Sequence, residues 1–243
     1  MSDAYRDAFF TLHCDLPREG PGEPADVTWA AHLAGTPKTA RLCDAACGPG
    51  ADIAALRASA PDGHVTALDK YPHFIEQACA LHGQDPAVTL STGDMAQITG
   101  PFDLIWCAGA LYFLGITEGL KTWRIALAPG GAVAFSEPCW FTDDRPQAAA
   151  DLWNDEYPAM TDAAGIDAQV RAAGYRTLGT RKLSATAWEN YYGPLDKRVA
   201  KLSPGDSPEM QQVLAEARRE AEVWRAHQDS FGYLLSVVQP DDV

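Results

Sequence analysis

No apolar run in this sequence approaches the length of a membrane span, which takes about 20 consecutive apolar residues. Paired cysteines are missing as well. The six Cys (positions 14, 43, 47, 79, 107 and 139) are scattered through apolar segments and form no C-x-x-C pair. That leaves a zinc site or a disulfide scaffold without a framework and predicts reduced, mostly buried thiols. Cys43 and Cys47 flank a glycine turn without a second ligand pair, and the six His show no metal-ligand spacing, so no metal is expected. Positive charge is scarce: 19 Lys and Arg stand against 33 Asp and Glu, a net charge of −14. Such a balance argues against a nucleic acid backbone and against an anionic membrane surface as partners. It reads as a solubility device. Internal repeats and low-complexity tracts are absent. The start, M-S-D-A-Y-R-D, lacks the basic and apolar regions of a signal peptide, so a cytoplasmic location is expected.

What is present begins with 243 residues, of which 47% are hydrophobic, enough for one α/β domain with additional helices. The most informative stretch runs from Arg41 to Asp52, R-L-C-D-A-A-C-G-P-G-A-D. A strand-like entry ends in Asp44, tiny residues follow, and a helical pattern opens at Ala51. A strand that turns into a helix through Gly48 and Gly50 lets backbone approach a ligand closely. The N–H groups at a helix start favour the polar tail of a nucleotide-like molecule. A dinucleotide fingerprint needs a third small residue further along, where bulky Ile53 stands.

The next strand ends supply matching residues. His64 to Leu68 reads as a buried strand that ends in Asp69, about 20 residues past the glycines and suited to accept from ribose hydroxyls. Asp69 is equally suited to capping the helix that follows. Gly93-Asp94-Met95 follows the strand-like Val88 to Thr92. Phe102 to Cys107 reads as a central buried strand, and Ala126 to Glu137 as a helix end at Pro129, a Gly-Gly turn and a fifth strand.

This order, D-x-A-x-G-x-G, Asp69, G-D-M, F-D-L-I and L-x-P-G-G, resembles the class I S-adenosylmethionine-dependent methyltransferases. The resemblance covers about Arg41 to Glu137 firmly. Ala46 replaces the family's usual first glycine, a change tolerable only if that backbone avoids a positive φ angle. The resemblance implies S-adenosylmethionine as cofactor, with Asp44, Ala46, Gly48 and Gly50 around its amino-acid end. It implies Asp69 on the ribose, Lys70 against the adenine, Asp94 on the adenine amino group and Met95 packed on the ring. Residues from Cys107 to Tyr112 would stand beside the sulfonium. The segments S-E-P-C-W-F-T, L-W-N-D-E-Y-P-A-M and A-W-E-N-Y-Y-G-P-L, with R-E-G-P-G at Arg18 to Gly22, are similar to a bacterial subgroup related to the ubiquinone and menaquinone biosynthesis methyltransferases. There Arg18 is expected to reach the cofactor carboxylate or the substrate.

The implied fold is a Rossmann-like, seven-stranded, mostly parallel sheet with its last strand antiparallel, helices on both faces and a helical substrate lid. The whole chain, 1–243, is read as one domain. Its core at about 36–138 is completed by strands near 175–183 and 231–239, and additions at about 1–35, 139–173 and 184–228 cover the substrate. A break is expected at Gly193-Pro194 within the helical stretch Ala185 to Ser203, and Ser203 to Ser207 reads as a loop. Trp140, Trp188, Tyr191 and Tyr192 are candidate substrate contacts, because aromatic walls exclude water or hold a cation; ordinary packing is the alternative for each. Glu137 is the candidate general base, with a structural carboxylate as the alternative, and Tyr112 a candidate for orienting substrate. The acceptor is a small molecule of unspecified nucleophile. Rival readings are a non-catalytic cofactor-binding module and an aminopropyl transferase on the same core.

Overall fold

Alternating short apolar strands and helical patterns fold here into a mixed sheet with helices on both faces, as the computed structural model describes for residues 2–202 and 207–241. The first five strands are β1 (Arg41–Ala45), β2 (His64–Asp69), β3 (Val88–Thr92), β4 (Phe102–Ala108) and β5 (Leu127–Trp140). They pair parallel in the order β3-β2-β1-β4-β5. β7 (Tyr175–Lys182) forms the far edge, and β8 (Phe231–Pro240) inserts between β5 and β7, antiparallel to both. An eighth strand that the sequence reading lacked, β6 (Thr161–Asp162), pairs with Cys139 and Trp140 of β5. At two residues it is too short to carry a period of its own.

The helices are α1 (Asp3–His13), α2 (Pro24–Leu33), α3 (Ile53–Ser59), α4 (Pro72–His82), α5 (Ile116–Trp123), α6 (Gln147–Glu156), α7 (Ala163–Ala172), α8 (Ala185–Leu202) and α9 (Pro208–His227). Their starts carry local chemistry. Ser2, Asp162 and Ser207 accept from backbone N–H groups of α1, α7 and α9, and Pro24, Pro72 and Pro208 open α2, α4 and α9. One core layer joins α1, α2, α3, α8 and α9 to the sheet face that carries Leu42, Leu104, Ala134 and Val237. The other joins α5 and α7 to the face of Cys43, Ile105, Val133 and Val238. Among the described residues no helix is long and apolar enough to cross a membrane.

Four expectations are corrected. The helix after the glycine turn starts at Ile53, because Ala51 and Asp52 still belong to the turn. The helix before β5 ends at Trp123 and passes through a 3-10 turn, Arg124–Ala126. Pro129, Gly130 and Gly131 then lie inside β5 as an irregularity: Phe102 faces Leu127, but Leu104 faces Ala132. α8 runs unbroken through Gly193 and Pro194, since buried Tyr191, Tyr192, Leu195 and Val199 hold one apolar face in place. Finally, Ala46 adopts φ 62°, the left-handed conformation that the sequence reading required it to avoid. The predicted loop from Ser203 lies outside the described residues except for Ser207, which caps α9.

Candidate active site

The site begins where the parallel strands end, at the carboxyl edge where open α/β sheets hold ligands. The turn after β1 winds through three left-handed residues, Ala46 at 62°, Gly48 at 54° and Gly50 at 88°. Cys47 N–H donates to the Leu68 carbonyl at 2.9 Å, and Gly48 N–H donates to Asp69 Oδ2 at 2.9 Å, so the turn is sewn to the end of β2. Gly50 is required twice over. Beyond its φ, a Cβ there would lie 3.0 Å from Ile53 Cδ1 and 3.1 Å from Ala78 Cβ. Its place is the packing of the turn on α4.

Asp44 is buried beside this turn, and its Oδ2 has no hydrogen-bond partner. Burial raises its carboxyl well above the ordinary range, neighbouring Asp52 and Asp69 add to the rise, and Arg18 opposes it. Arg18 reaches Asp52, with Nη2 3.3 Å from Oδ1, and its Nε donates to the Gly20 carbonyl at 2.5 Å. Trp106 Nε1 donates to the other Asp52 oxygen at 3.0 Å. Glu19 is held by His13 Nδ1 at 2.6 Å and packs over Gly48, while its Oε1 is buried without a partner. The segment between α1 and α2 thus closes over the turn. Asp52, Trp106, Glu19 and His13 escaped sequence reasoning. Their partners lie far away in the chain or, for His13 and Glu19, across a loop without periodicity.

Asp69 accepts from Tyr71 N–H as well as from Gly48 N–H, so each oxygen has one backbone donor and keeps a second acceptor position. Burial pushes its pKa up, with both backbone bonds opposing. Lys70 beside it is exposed. Asp94 caps the 3-10 turn Met95–Gln97 by accepting from Ala96 N–H at 2.9 Å. The carbonyl of half-buried Met95 accepts from Trp123 Nε1 at 2.7 Å. Cys107 is fully buried in β4, and burial, then Asp44, then Glu137 raise its thiol. It therefore lies between two groups of acids.

The second group surrounds Glu137 near the end of β5. Its side chain is 1% exposed, and no donor meets hydrogen-bond geometry at either oxygen. Burial pushes its pKa up to about 8; the nearby Tyr157 hydroxyl opposes the shift from a position short of a well-formed bond. The Tyr112 and Tyr157 rings stand 5.4 Å apart. Burial raises the Tyr112 phenol, and Glu137, Glu220 and Glu156 raise it further. Tyr233 leans over Gly109, whose φ of 68° leaves no room for a side chain: a Cβ would lie 2.9 Å from the Tyr233 ring. Tyr191 packs on Tyr192 at 5.1 Å, and the Tyr192 hydroxyl donates to Glu220 at 2.9 Å. Trp188 stacks on Trp224 at 4.9 Å, and Trp140 meets Phe231 edge-on at 5.9 Å. Both indoles sit in the core. Tyr112, Tyr157, Tyr233 and Glu220 each keep partial solvent access.

A family model described as a methyltransferase domain matches residues 42–131. Trans-aconitate 2-methyltransferase of Streptomyces avermitilis is 29% identical over 169 residues, covering 63% of this chain and 61% of that protein. This chain thus spans about three fifths of that relative's length. Among solved structures, a SAM-dependent methyltransferase from Geobacter sulfurreducens, in complex with S-adenosyl-L-homocysteine, superposes with TM-score 0.79 at 18% identity, over 97% of this chain and 98% of that one. A SAM-dependent methyltransferase from Thiobacillus denitrificans, also with S-adenosyl-L-homocysteine, gives TM-score 0.77 at 19% identity over 99% of both chains. These structural matches establish the shared fold. With the ordered acids at the ends of β1 and β2 and the positive-φ turn between them, the chain resembles the class I S-adenosylmethionine-dependent methyltransferases over the matched domain, residues 42–131, and shares their fold.

Proposed function

We propose that the protein transfers a methyl group from S-adenosylmethionine to a small-molecule acceptor. One observation carries this reading: the unpartnered Asp44 oxygen, buried beside the left-handed turn that follows β1. A buried acceptor without a donor is costly, and a ligand bearing an N–H donor removes the cost. The ammonium group of the cofactor's amino-acid end has that chemistry, so the residues present fit it.

Asp44 and the backbone of Ala46 and Gly48 would hold the amino-acid end. The free acceptor positions of Asp69 suit the two ribose hydroxyls. Asp94, Met95 and Lys70 would border the adenine, and Cys107 the sulfonium. Arg18 keeps its pairing with Asp52 and stiffens the cover over the turn. When bound, the cofactor supplies a methyl group already activated for transfer. The chain's own work is to orient the acceptor, exclude water and take up a proton where the acceptor carries one, and Glu137 would serve that last role. One folded unit with core about 36–138 and covering additions accounts for both halves of the site, and six free cysteines suit a reducing cytoplasm.

The Streptomyces relative's name suggests a carboxylate acceptor. Such an acceptor would need cations beside Glu137. The electrostatics favour a different class, taken up below.

Calorimetry with S-adenosylhomocysteine tests the reading. Saturable binding by the wild type, and its loss in Asp44→Ala and Asp69→Ala, is expected. Heats indistinguishable from dilution, or equal affinities in all three proteins, would overturn it.

A further inference from the structure

The surroundings of Glu137 are acidic and aromatic, and among the described residues no free cation adjoins it. Glu137 is buried with both oxygens unpartnered. Tyr112 and Tyr157 stand together next to it, and Tyr233 covers Gly109 at the neighbouring strand end. Glu220 from α9 and Glu156 from α6 bear on the same Tyr112 phenol.

The nearby positive groups are engaged elsewhere. Arg18 pairs with Asp52. Arg225 pairs with Glu189 and Asp196 on the outer side of α8. Lys182 lies over the Phe141 ring, 3.9 Å from its centroid. His13, which does bear on Glu220, is held by Glu19. A buried carboxylate with no partner is tolerated where a ligand brings the opposite charge, and tyrosine faces attract the same kind of ligand.

We infer that the methyl acceptor is an amine that enters as an ammonium ion and seats against Glu137 among the rings of Tyr112, Tyr157 and Tyr233. This rests on the methyl-transfer reading above and adds the substrate class. Glu137 takes one N–H proton from the ammonium. The freed lone pair on nitrogen forms the new N–CH3 bond, the electron pair of the S–CH3 bond stays on sulfur, and Glu137 passes its proton to solvent. Burial keeps Glu137 mostly protonated at mid pH in the free protein; the incoming positive charge favours its ionised form, the displaced proton leaves to solvent, and the carboxylate so formed accepts the N–H proton. An anionic acceptor would face the Glu137 and Glu220 carboxyls and, among the described residues, no free cation.

The probe is tetramethylammonium chloride, which carries charge without donating a hydrogen bond, and sodium acetate is its anionic counterpart. Intrinsic fluorescence of the full chain is titrated with each at fixed ionic strength. Tetramethylammonium should bind saturably and acetate should not. Affinity should fall by at least about tenfold in Glu137→Gln and in Tyr112→Leu, the loss of one cation contact. Melting curves establish that each variant is folded, and Glu220→Gln, for which a smaller drop is expected, serves if either is not. Saturable acetate binding, no tetramethylammonium binding, or unchanged affinity in the folded variants would each overturn the inference. The calorimetry described above separates the two readings. A protein that binds S-adenosylhomocysteine but not tetramethylammonium loses only the amine acceptor; one that binds neither loses both.

Discussion

Ala46 holds a left-handed backbone that a Cβ disfavours by about 1–2 kcal/mol. It persists because neighbouring bonds fix the turn from both sides, Cys47 to Leu68 and Gly48 to Asp69. Ala46→Gly removes that strain but adds freedom to the unfolded chain, worth about 0.4–1 kcal/mol. A net gain of up to about 1 kcal/mol in urea unfolding is therefore expected, and a loss would mean the turn is not strained as described. Gly50→Ala should behave oppositely, with a loss of about 2 kcal/mol or more, since φ 88° and the contacts with Ile53 and Ala78 oppose the new methyl together.

Glu137 gives a pH signature. Its ordinary pKa is 4.5, and burial raises it to about 8 in the folded protein, where Tyr112, Tyr157, Tyr233, Cys107 and Cys139 face it. Between those values the unfolded chain releases a proton that the folded protein keeps. The Glu137 contribution to stability is thus fully present below the lower value, falls as pH rises through the folded value, and is flat above it. Glu137→Gln abolishes the dependence. Its unfolding free energy relative to wild type, read from chemical unfolding, should climb between about pH 5 and about pH 8, by an amount on the order of a few kcal/mol. A constant difference across that range would contradict a carboxyl buried and neutral at mid pH.

At the scale of elements, termini follow local rules and interiors follow packing. Asp162 closes β6 and caps α7, accepting from Gly165 N–H at 2.8 Å. Asp162→Ala should cost about 1 kcal/mol in chemical unfolding, while Asp162→Asn should cost far less, because both side chains accept at an N-cap. α8 obeys the opposite logic. Gly193 and Pro194 spell a break, yet the helix continues because its buried face is anchored on either side of them. The Gly-Gly turn before β5 was legible as a turn but not as a bulge inside a strand, since its pairing with β4 is set by register rather than by composition.

Over the whole molecule, two acidic centres meet at the strand ends, one around Asp44 and one around Glu137, with Cys107 between them. A ligand that satisfies Asp44 should stabilise the folded state by mass action. S-adenosylhomocysteine at 100 times its dissociation constant is expected to add about 2.7 kcal/mol, read as a higher melting temperature, and to add nothing in Asp44→Ala. Equal shifts in both proteins would place the ligand elsewhere.

The succession of strands and helices from β1 to β5 and the acids Asp44 and Asp69 were legible because each is written in neighbouring residues: an apolar run, a strand end, a glycine turn. So was the placement of Glu137 late in β5. The chain alone therefore determined a parallel α/β core and where along it polar residues would face a ligand. Only the tertiary structure decided that Arg18 and Trp106 both turn to Asp52, that Glu19 covers Gly48, that Ala46 is left-handed, and that Trp140 and Trp188 pack inward while Tyr112 and Tyr157 stand ring to ring. The physical reason is that charge pairing and burial depend on what lies nearby in space. Those neighbours come from segments tens of residues apart, whose approach is fixed by the packing of every other element.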